Sequence, residues 1–236
     1  MSRTKVFVTV PIAAKEGICN HVAETLITLR EDPRYAVNIE FPCAQPSEMA
    51  RSIGLKMFLE SKHDHWLTID SDNPPACNPL DLVEHLGDEK PIIGLPTPVH
   101  RHDSSGVLHL PWNVYTRVGD LKYKSIHPPK EDEGWQEVDA VGTGCVLMRG
   151  SIFDNGAMCF MPFQRIWNDD GTADLGSDLA FCQRAKRFGY RVWVNWEYTC
   201  NHFGPANYSE IQEYGRRMFM AGYASAERRM AKQCET

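Results

Sequence analysis

No stretch of the chain approaches the roughly 20 consecutive apolar residues that a membrane-spanning helix needs, so no such helix is expected. Positive charge is also scarce. The 25 Lys and Arg stand against 31 Asp and Glu, for a net charge of −6 and a pI near 5.8. Bulk charge therefore does not hold this chain to nucleic acid or a membrane surface, although a local basic patch survives that argument. The cysteines Cys19, Cys43, Cys77, Cys145, Cys159, Cys182, Cys200 and Cys234 contain no C-x-x-C pair, which argues against a zinc knuckle. Most lie among apolar residues, where Cys behaves as a small buried hydrophobe. The opening MSRTKVFVTV enters a strand pattern directly and lacks a signal peptide's long apolar region and small-residue cleavage site. A soluble, cytoplasmic protein is the expectation.

What is present suits a globular domain. Hydrophobic residues make up 42% of 236 and charged residues 24%, enough for an ordinary core in one domain with or without appendages. Strand patterns at Lys5–Val10, Tyr35–Phe41, His65–Ile69 and Pro91–Leu95 alternate with helical spacings at Asn20–Arg30, Ser47–Glu60 and Asn78–Leu86. Asn20 and Ser47 are the candidate N-caps of the first two helices. This β-α-β order predicts an α/β fold, a mainly parallel sheet with helices on both faces. The second half reads as a smaller mixed or antiparallel sheet from Gly106–Tyr115 and Trp135–Met148. A long loop at Met158–Gly176, a helix at Ser177–Phe188 and a strand at Tyr190–Val194 follow. A helix or helix pair is expected at Tyr208–Lys232.

In such sheets, ligands bind outside the carboxyl ends of the strands. The third strand runs at that end into Asp70-Ser71-Asp72 and then two prolines. If extended geometry persists through Ser71, both carboxylates point the same way. Two close like charges are unfavourable unless a cation intervenes. A hard divalent ion prefers such oxygen ligands and keeps positions open for water and phosphate. The bland reading, turn and cap chemistry of Asp and Ser, stands beside it.

A more specific pattern lies in "GSDLAFCQRAKRFGYRVWVNWEYTCNHFG", Gly176 to Gly204. A carboxylate at a helix start, then Cys and Arg, a Gly-Tyr turn, a strand and His-Phe-Gly resemble the C-terminal signature of GT-A glycosyltransferases similar to glycosyltransferase family 2. "VDAVGTGCVLMRGSIFD" and "MARSIGLKMFLESKHDHWLTIDSDNPP" resemble two further segments of that family, in the same order. The resemblance runs from about Lys5 to Gly204, and the pattern is similar to small soluble transferases encoded by bacteriophages. It implies a GT-A catalytic domain over 1–204, with a nucleotide-binding half at 1–95 and an acceptor half at 96–204. Residues 205–236 would be a helical extension.

The resemblance also implies roles. Asp70 and Asp72 become the D-x-D pair for Mn²⁺ or Mg²⁺, Asp72 the direct ligand, with Ser71 between them at the nucleotide. His202 completes the metal site, or else is a packed core or cap histidine. Thr9, Val10 and Pro11 lie against the nucleobase and Arg51 lies near the nucleotide. Gly142, Thr143 and Gly144 leave room for the donor sugar, or form a bulge or tight turn. Asp178 is the catalytic base of an inverting enzyme. Ser177, a candidate helix cap, precedes it where the family commonly has Glu, and Asp178 also suits charge compensation at a helix N-terminus. Asp169, Asp170 and Asp174 are alternative bases.

The function implied is transfer of a sugar from a nucleoside diphosphate sugar, a UDP-sugar above all, to a hydroxyl. Absence of a membrane segment, the phage-type resemblance and Arg216, Arg217, Arg228, Arg229 and Lys232 in an acidic chain point to 5-hydroxymethylpyrimidine in DNA as one acceptor. Arg101, Trp112 and Trp167 are further acceptor-side candidates, Trp112 by stacking on a base. A cytosolic glycan or protein acceptor is the alternative. Other classes are a metal-dependent nucleotidyltransferase or phosphatase, and a non-catalytic nucleotide- or sugar-binding module. The segment after strand one, "PIAAKEGICN", has one Gly and one Lys, a poor match to a nucleotidyltransferase loop.

Overall fold

The computed structural model of the protein describes residues 3–12, 17–99, 101–102, 105, 108–129, 134–171 and 173–203. The expected C-terminal helix, with Arg216 and Arg217, and the extension at 205–236 lie outside the described residues.

One central sheet organises the chain. Its strands are β1 (Thr4–Thr9), β2 (Tyr35–Glu40), β3 (His65–Ile69), β4 (Ile92–Gly94), β5 (Trp135–Val138), β6 (Cys145–Arg149) and β7 (Val192–Asn195). Their spatial order is β2-β1-β3-β6-β4-β7-β5. β1 runs parallel to β2 and β3, and β7 runs parallel to β4. β6 lies between β3 and β4, antiparallel to both, and β5 closes one edge antiparallel to β7. Burial on both faces explains why the inner strands read as continuous apolar runs. Val6 to Thr9 and Cys145 to Met148 are buried residue after residue.

The strands of the second half divide between two sheets. Trp135–Val138 and Cys145–Arg149 join the central sheet instead of forming a separate one. The small antiparallel sheet consists of Val114–Gly119, Lys122–Ser125 and Ala140–Val141. Only Asp139 separates β5 from Ala140–Val141, and an apolar run such as Cys145 to Met148 carries no alternation to say which sheet it enters.

Helices α1 (Asn20–Glu31), α2 (Ser47–Ser61) and α3 (Ser177–Arg187) appear where helical spacing predicts them. α1 buries Val22, Leu26 and Leu29, one stripe of the helix. The caps fall one residue earlier than expected. Cys19, Pro46 and Gly176 occupy the N-cap positions without a side-chain cap, which makes Asn20, Ser47 and Ser177 the first helical residues. Asn78 does cap, accepting from the Leu80 N–H, but the segment it opens, Pro79–His85, is a 3₁₀ helix.

Two apolar clusters cover the sheet. One gathers Phe58, Trp66, Phe153, Phe163 and Phe181; the other gathers Leu26, Leu29, Leu67, Leu80, Leu95 and Leu147. The fully buried Trp66 stacks on Phe58 at 5.9 Å, and its indole N–H donates to the Thr9 hydroxyl at 2.9 Å. The register then sets the site. The Asp70 N–H donates to the Gly144 carbonyl at 2.7 Å and the Leu95 N–H to the Cys145 carbonyl at 2.9 Å. These bonds bring the ends of β3 and β4 against the start of β6.

Candidate active-site cleft

A cleft of about 530 Å³ opens at this junction, outside the carboxyl ends of β3 and β4. β3 stops at Ile69, and the chain turns at once, with the Asn73 N–H donating to the Asp70 carbonyl at 3.2 Å. The extended geometry that would align the two carboxylates therefore ends before Asp70. Both line the cleft, but they take different partners.

Asp70 faces Arg51 of α2, whose Nη2 lies 2.8 Å from each carboxylate oxygen. Arg51 is buried, and its Nη1 stands 3.9 Å from Asp178 Oδ1. Burial works against the guanidinium charge, but the carboxylates of Asp70 and Asp178 outweigh it and hold the Arg51 pKa above its ordinary value. Burial pushes the Asp70 carboxyl up; Arg51 opposes that rise, and the charges of Asp178 and Asp72 add to it. The Arg51 Nε is buried without a hydrogen-bond partner among the described residues.

Asp72 faces His202 instead, with Oδ2 3.5 Å from Nε2. The other ring nitrogen, Nδ1, lies 3.1 Å from the Pro98 carbonyl. That contact assigns the proton of neutral imidazole to Nδ1 and leaves the Nε2 lone pair toward Asp72. Protonation of Nε2 turns its contact with Asp72 into a hydrogen bond, which raises the His202 pKa against the opposing effect of burial. Asp70, Asp72 and His202 share the cleft, yet among the described residues no group of three His, Cys, Asp or Glu side chains is close enough to hold a metal ion unaided.

Asp178 stands in the first turn of α3, where its charge also complements the helix N-terminus. Its Oδ1 accepts from the Thr143 hydroxyl at 2.8 Å and the Ser177 hydroxyl at 3.0 Å. Ser177 thus holds Asp178 instead of capping the helix. Gly142 and Gly144 line the cleft, and their missing side chains make room for protein amides. A Cβ at Gly142 would lie 2.5 Å from Asn113 Nδ2, and one at Gly144 would lie 2.4 Å from Asn73 Oδ1. Arg165, on the loop before α3, also lines the cleft and pairs with Glu48 of α2 at 2.8 Å.

Other expected site residues lie elsewhere. Thr9, Val10 and Pro11 are buried off the cleft wall, and the Ser71 carbonyl accepts from the Cys19 N–H at 2.9 Å. Trp112 packs edge-on against Trp196 at 5.7 Å, away from the cleft, and Trp167 is exposed on the short strand Ile166–Trp167. Arg101 belongs to a two-stranded ribbon, Arg101–His102 with Leu108–His109. The sequence reading missed Asn73, Thr97, Asn113, Tyr115 and Arg165 on the wall. Single polar residues inside apolar segments, as in "GLPTPV" and "LPWNVYT", were the available signal.

No protein-family model and no curated protein matches the sequence. Among solved structures, the chain is similar to A197 from STIV, with a TM-score of 0.53, 17% identity and 86% of each chain covered. That similarity is one of fold. Apo UDP-glucose pyrophosphorylase superposes with a TM-score of 0.41 and 8% identity over 82% of this chain and 74% of that one. The class defined by the architecture is an α/β protein with a seven-stranded mixed sheet and a polar cleft at the carboxyl ends of β3 and β4.

Proposed function

We propose that the cleft is the active site of a glycosyltransferase that moves a sugar from a nucleoside diphosphate sugar, a UDP-sugar in the first instance, to a hydroxyl. The observation that supports this most is the placing of the Asp72–His202 pair and Asp178 in one cleft. The wall carries the carboxylates of Asp70, Asp72 and Asp178, while Arg51 supplies one buried cation and Arg165 is already paired with Glu48. A bare diphosphate meets net repulsion there. A divalent cation bound with the diphosphate removes it.

The donor set fits a cation held jointly with substrate. Asp72 and His202 supply two donors, and hard divalent ions are commonly bound by one or two protein groups plus phosphate and water. The Pro98 carbonyl orients His202 in the manner of a metal-binding imidazole. When bound, the cation would act as a Lewis acid on the leaving diphosphate. Asp70, engaged by Arg51, would hold that guanidinium at the nucleotide side instead of ligating.

In the proposed reaction, the acceptor oxygen attacks the anomeric carbon as the bond to the diphosphate breaks on the opposite face. Asp178 Oδ2 takes the acceptor proton, while Thr143 and Ser177 hold Oδ1 and fix the carboxylate's direction. Such a base contributes about 10²–10⁴-fold in rate. The loop from Met158 to Asp174, tethered through Arg165, would shield the donor from water. The acceptor is proposed as a hydroxyl; the basic residues that point to modified DNA, Arg216, Arg217, Arg228, Arg229 and Lys232, lie outside the described residues.

Donor turnover measured with Mn²⁺ and with EDTA tests this reading. Turnover with Mn²⁺ alone, lost in Asp178→Asn while donor binding persists, is expected. Binding without turnover toward any hydroxyl or water would leave a binding module. A product that keeps the donor's anomeric configuration would overturn the single displacement.

A further inference from the structure

The chemistry above uses the rim of the cleft and leaves its floor unexplained. Asn113 is 5% exposed and lines the cleft. Its backbone N–H donates to the Thr97 carbonyl at 2.9 Å, and its Oδ1 accepts from the Thr97 N–H at 2.8 Å. The Gly142 N–H donates to the Asn113 carbonyl at 2.7 Å. Two backbone bonds therefore hold the residue, and the bond from the Thr97 N–H to Oδ1 fixes the sense of its amide. With Oδ1 committed, the group left over is the Nδ2 amine, a donor only. It makes no hydrogen bond among the described residues, and Gly142 gives it room, since a Cβ there would lie 2.5 Å from Nδ2.

This amide is not among the fully buried polar atoms that lack a partner, so it opens to the cleft, where water or a ligand oxygen can accept from it. Next to it, Asn73 is 5% exposed and bonds the Asn201 carbonyl through Nδ2 at 3.4 Å, which turns its Oδ1 to the face of Gly144. The floor thus offers one oriented donor and one oriented acceptor, two residues apart along Gly142-Thr143-Gly144. A hydroxyl both accepts and donates, and a polyol satisfies such a floor. A carboxylate does not: it can only accept, and it would lie among Asp70, Asp72 and Asp178.

We infer that Asn113 is a sugar-specificity residue, whose Nδ2 donates to a hydroxyl oxygen of a neutral hexosyl group on the donor. This rests on the nucleoside diphosphate sugar reading and adds to it the class of sugar and the residue that reads it. Sugars carrying a carboxylate are excluded by the same floor.

The test is calorimetric binding of UDP, UDP-glucose, UDP-galactose and UDP-glucuronate to the intact protein with Mn²⁺, and of monodeoxy forms of the tighter neutral sugar. Wild-type protein should bind one neutral UDP-sugar more tightly than UDP, with UDP-glucuronate no tighter than UDP. One monodeoxy form should lose about tenfold in affinity, the size of one neutral hydrogen bond. Asn113→Asp keeps the acceptor for the Thr97 N–H and removes the donor. Measured relative to its own affinity for UDP, which the added charge lowers, it should lose the gain from the sugar and no longer distinguish that deoxy form. Should the variant fail to fold, the wild-type deoxy series decides alone. Equal binding of every deoxy form, preference for the glucuronate, or an unchanged sugar gain in Asn113→Asp overturns the inference and leaves the donor reading standing. Binding of no UDP species with Mn²⁺ overturns both.

Discussion

Arg51 donates to both carboxylate oxygens of Asp70 at 2.8 Å, with the two side chains only 6% and 24% exposed. The pair joins α2 to the end of β3 beneath the cleft and leaves Asp72 and Asp178 as the carboxylates directed to other tasks. Removing one member of a buried pair strands the other. Arg51→Met should therefore destabilise the fold by about 3–5 kcal/mol. Replacing both residues, Arg51→Met with Asp70→Asn, should restore most of that loss. Urea unfolding of the three proteins checks it. A single variant as stable as wild type would mean that the pair is solvated and not structural.

The two cleft glycines give a second prediction. Gly142→Ala and Gly144→Ala place a Cβ within 2.5 Å of the Asn113 and Asn73 amides, which are held by other bonds. Each should cost about 1–3 kcal/mol through overpacking and should reduce ligand binding in the cleft. Gly156→Ala, where nothing lies within 4 Å of the new Cβ, should change stability by less than about 0.5 kcal/mol. Thermal midpoints of the three variants are the measurement. Equal midpoints would show that the amides move aside freely.

Much of this arrangement was legible in the sequence. The β-α-β order and the position of Asp70 and Asp72 at a strand end follow from hydrophobic period and turn chemistry, but the central sheet is mixed and not mainly parallel, because β6 runs antiparallel to both β3 and β4 and β5 antiparallel to β7. What was not legible is contact between distant segments. Arg51, Asp70, Thr143 and Asp178 meet only because β6 inserts between β3 and β4, a pairing that no local pattern encodes. Asn113 was missed for the same reason: beside Trp112 it reads as ordinary loop chemistry until Gly142 and Thr97 are folded against it. Thr9, read as a nucleobase contact, turns inward because the buried Trp66 indole needs an acceptor.

Acid stability supplies a prediction away from the cleft. Asp32, at the end of α1, accepts from the Arg34 side chain and N–H and from Asn78, with the Arg34 side-chain bond the largest cause, and its pKa falls to about 2. The unfolded value is about 3.9, so the folded group is depressed. Its contribution is fully present above about pH 4 and fades as the pH falls through about 2; it amounts to roughly 2 kcal/mol. Asp32→Asn should lower stability by about that amount at pH 7 and converge on wild type as the pH falls below about 3. Urea midpoints across that range report it. A constant difference at all pH values would assign the loss to altered hydrogen bonding instead of charge.

The central claim is that Asp72 and His202 recruit a cation together with a nucleoside diphosphate sugar. The most direct measurement is the thermal midpoint of wild type and Asp72→Asn with Mn²⁺ alone, with a UDP-sugar alone and with both. The account predicts a rise for wild type only when both are present, abolished by EDTA, and none for Asp72→Asn despite an unchanged midpoint without ligand. Stabilisation by the nucleotide sugar that is the same in EDTA, or the same in Asp72→Asn, would contradict it.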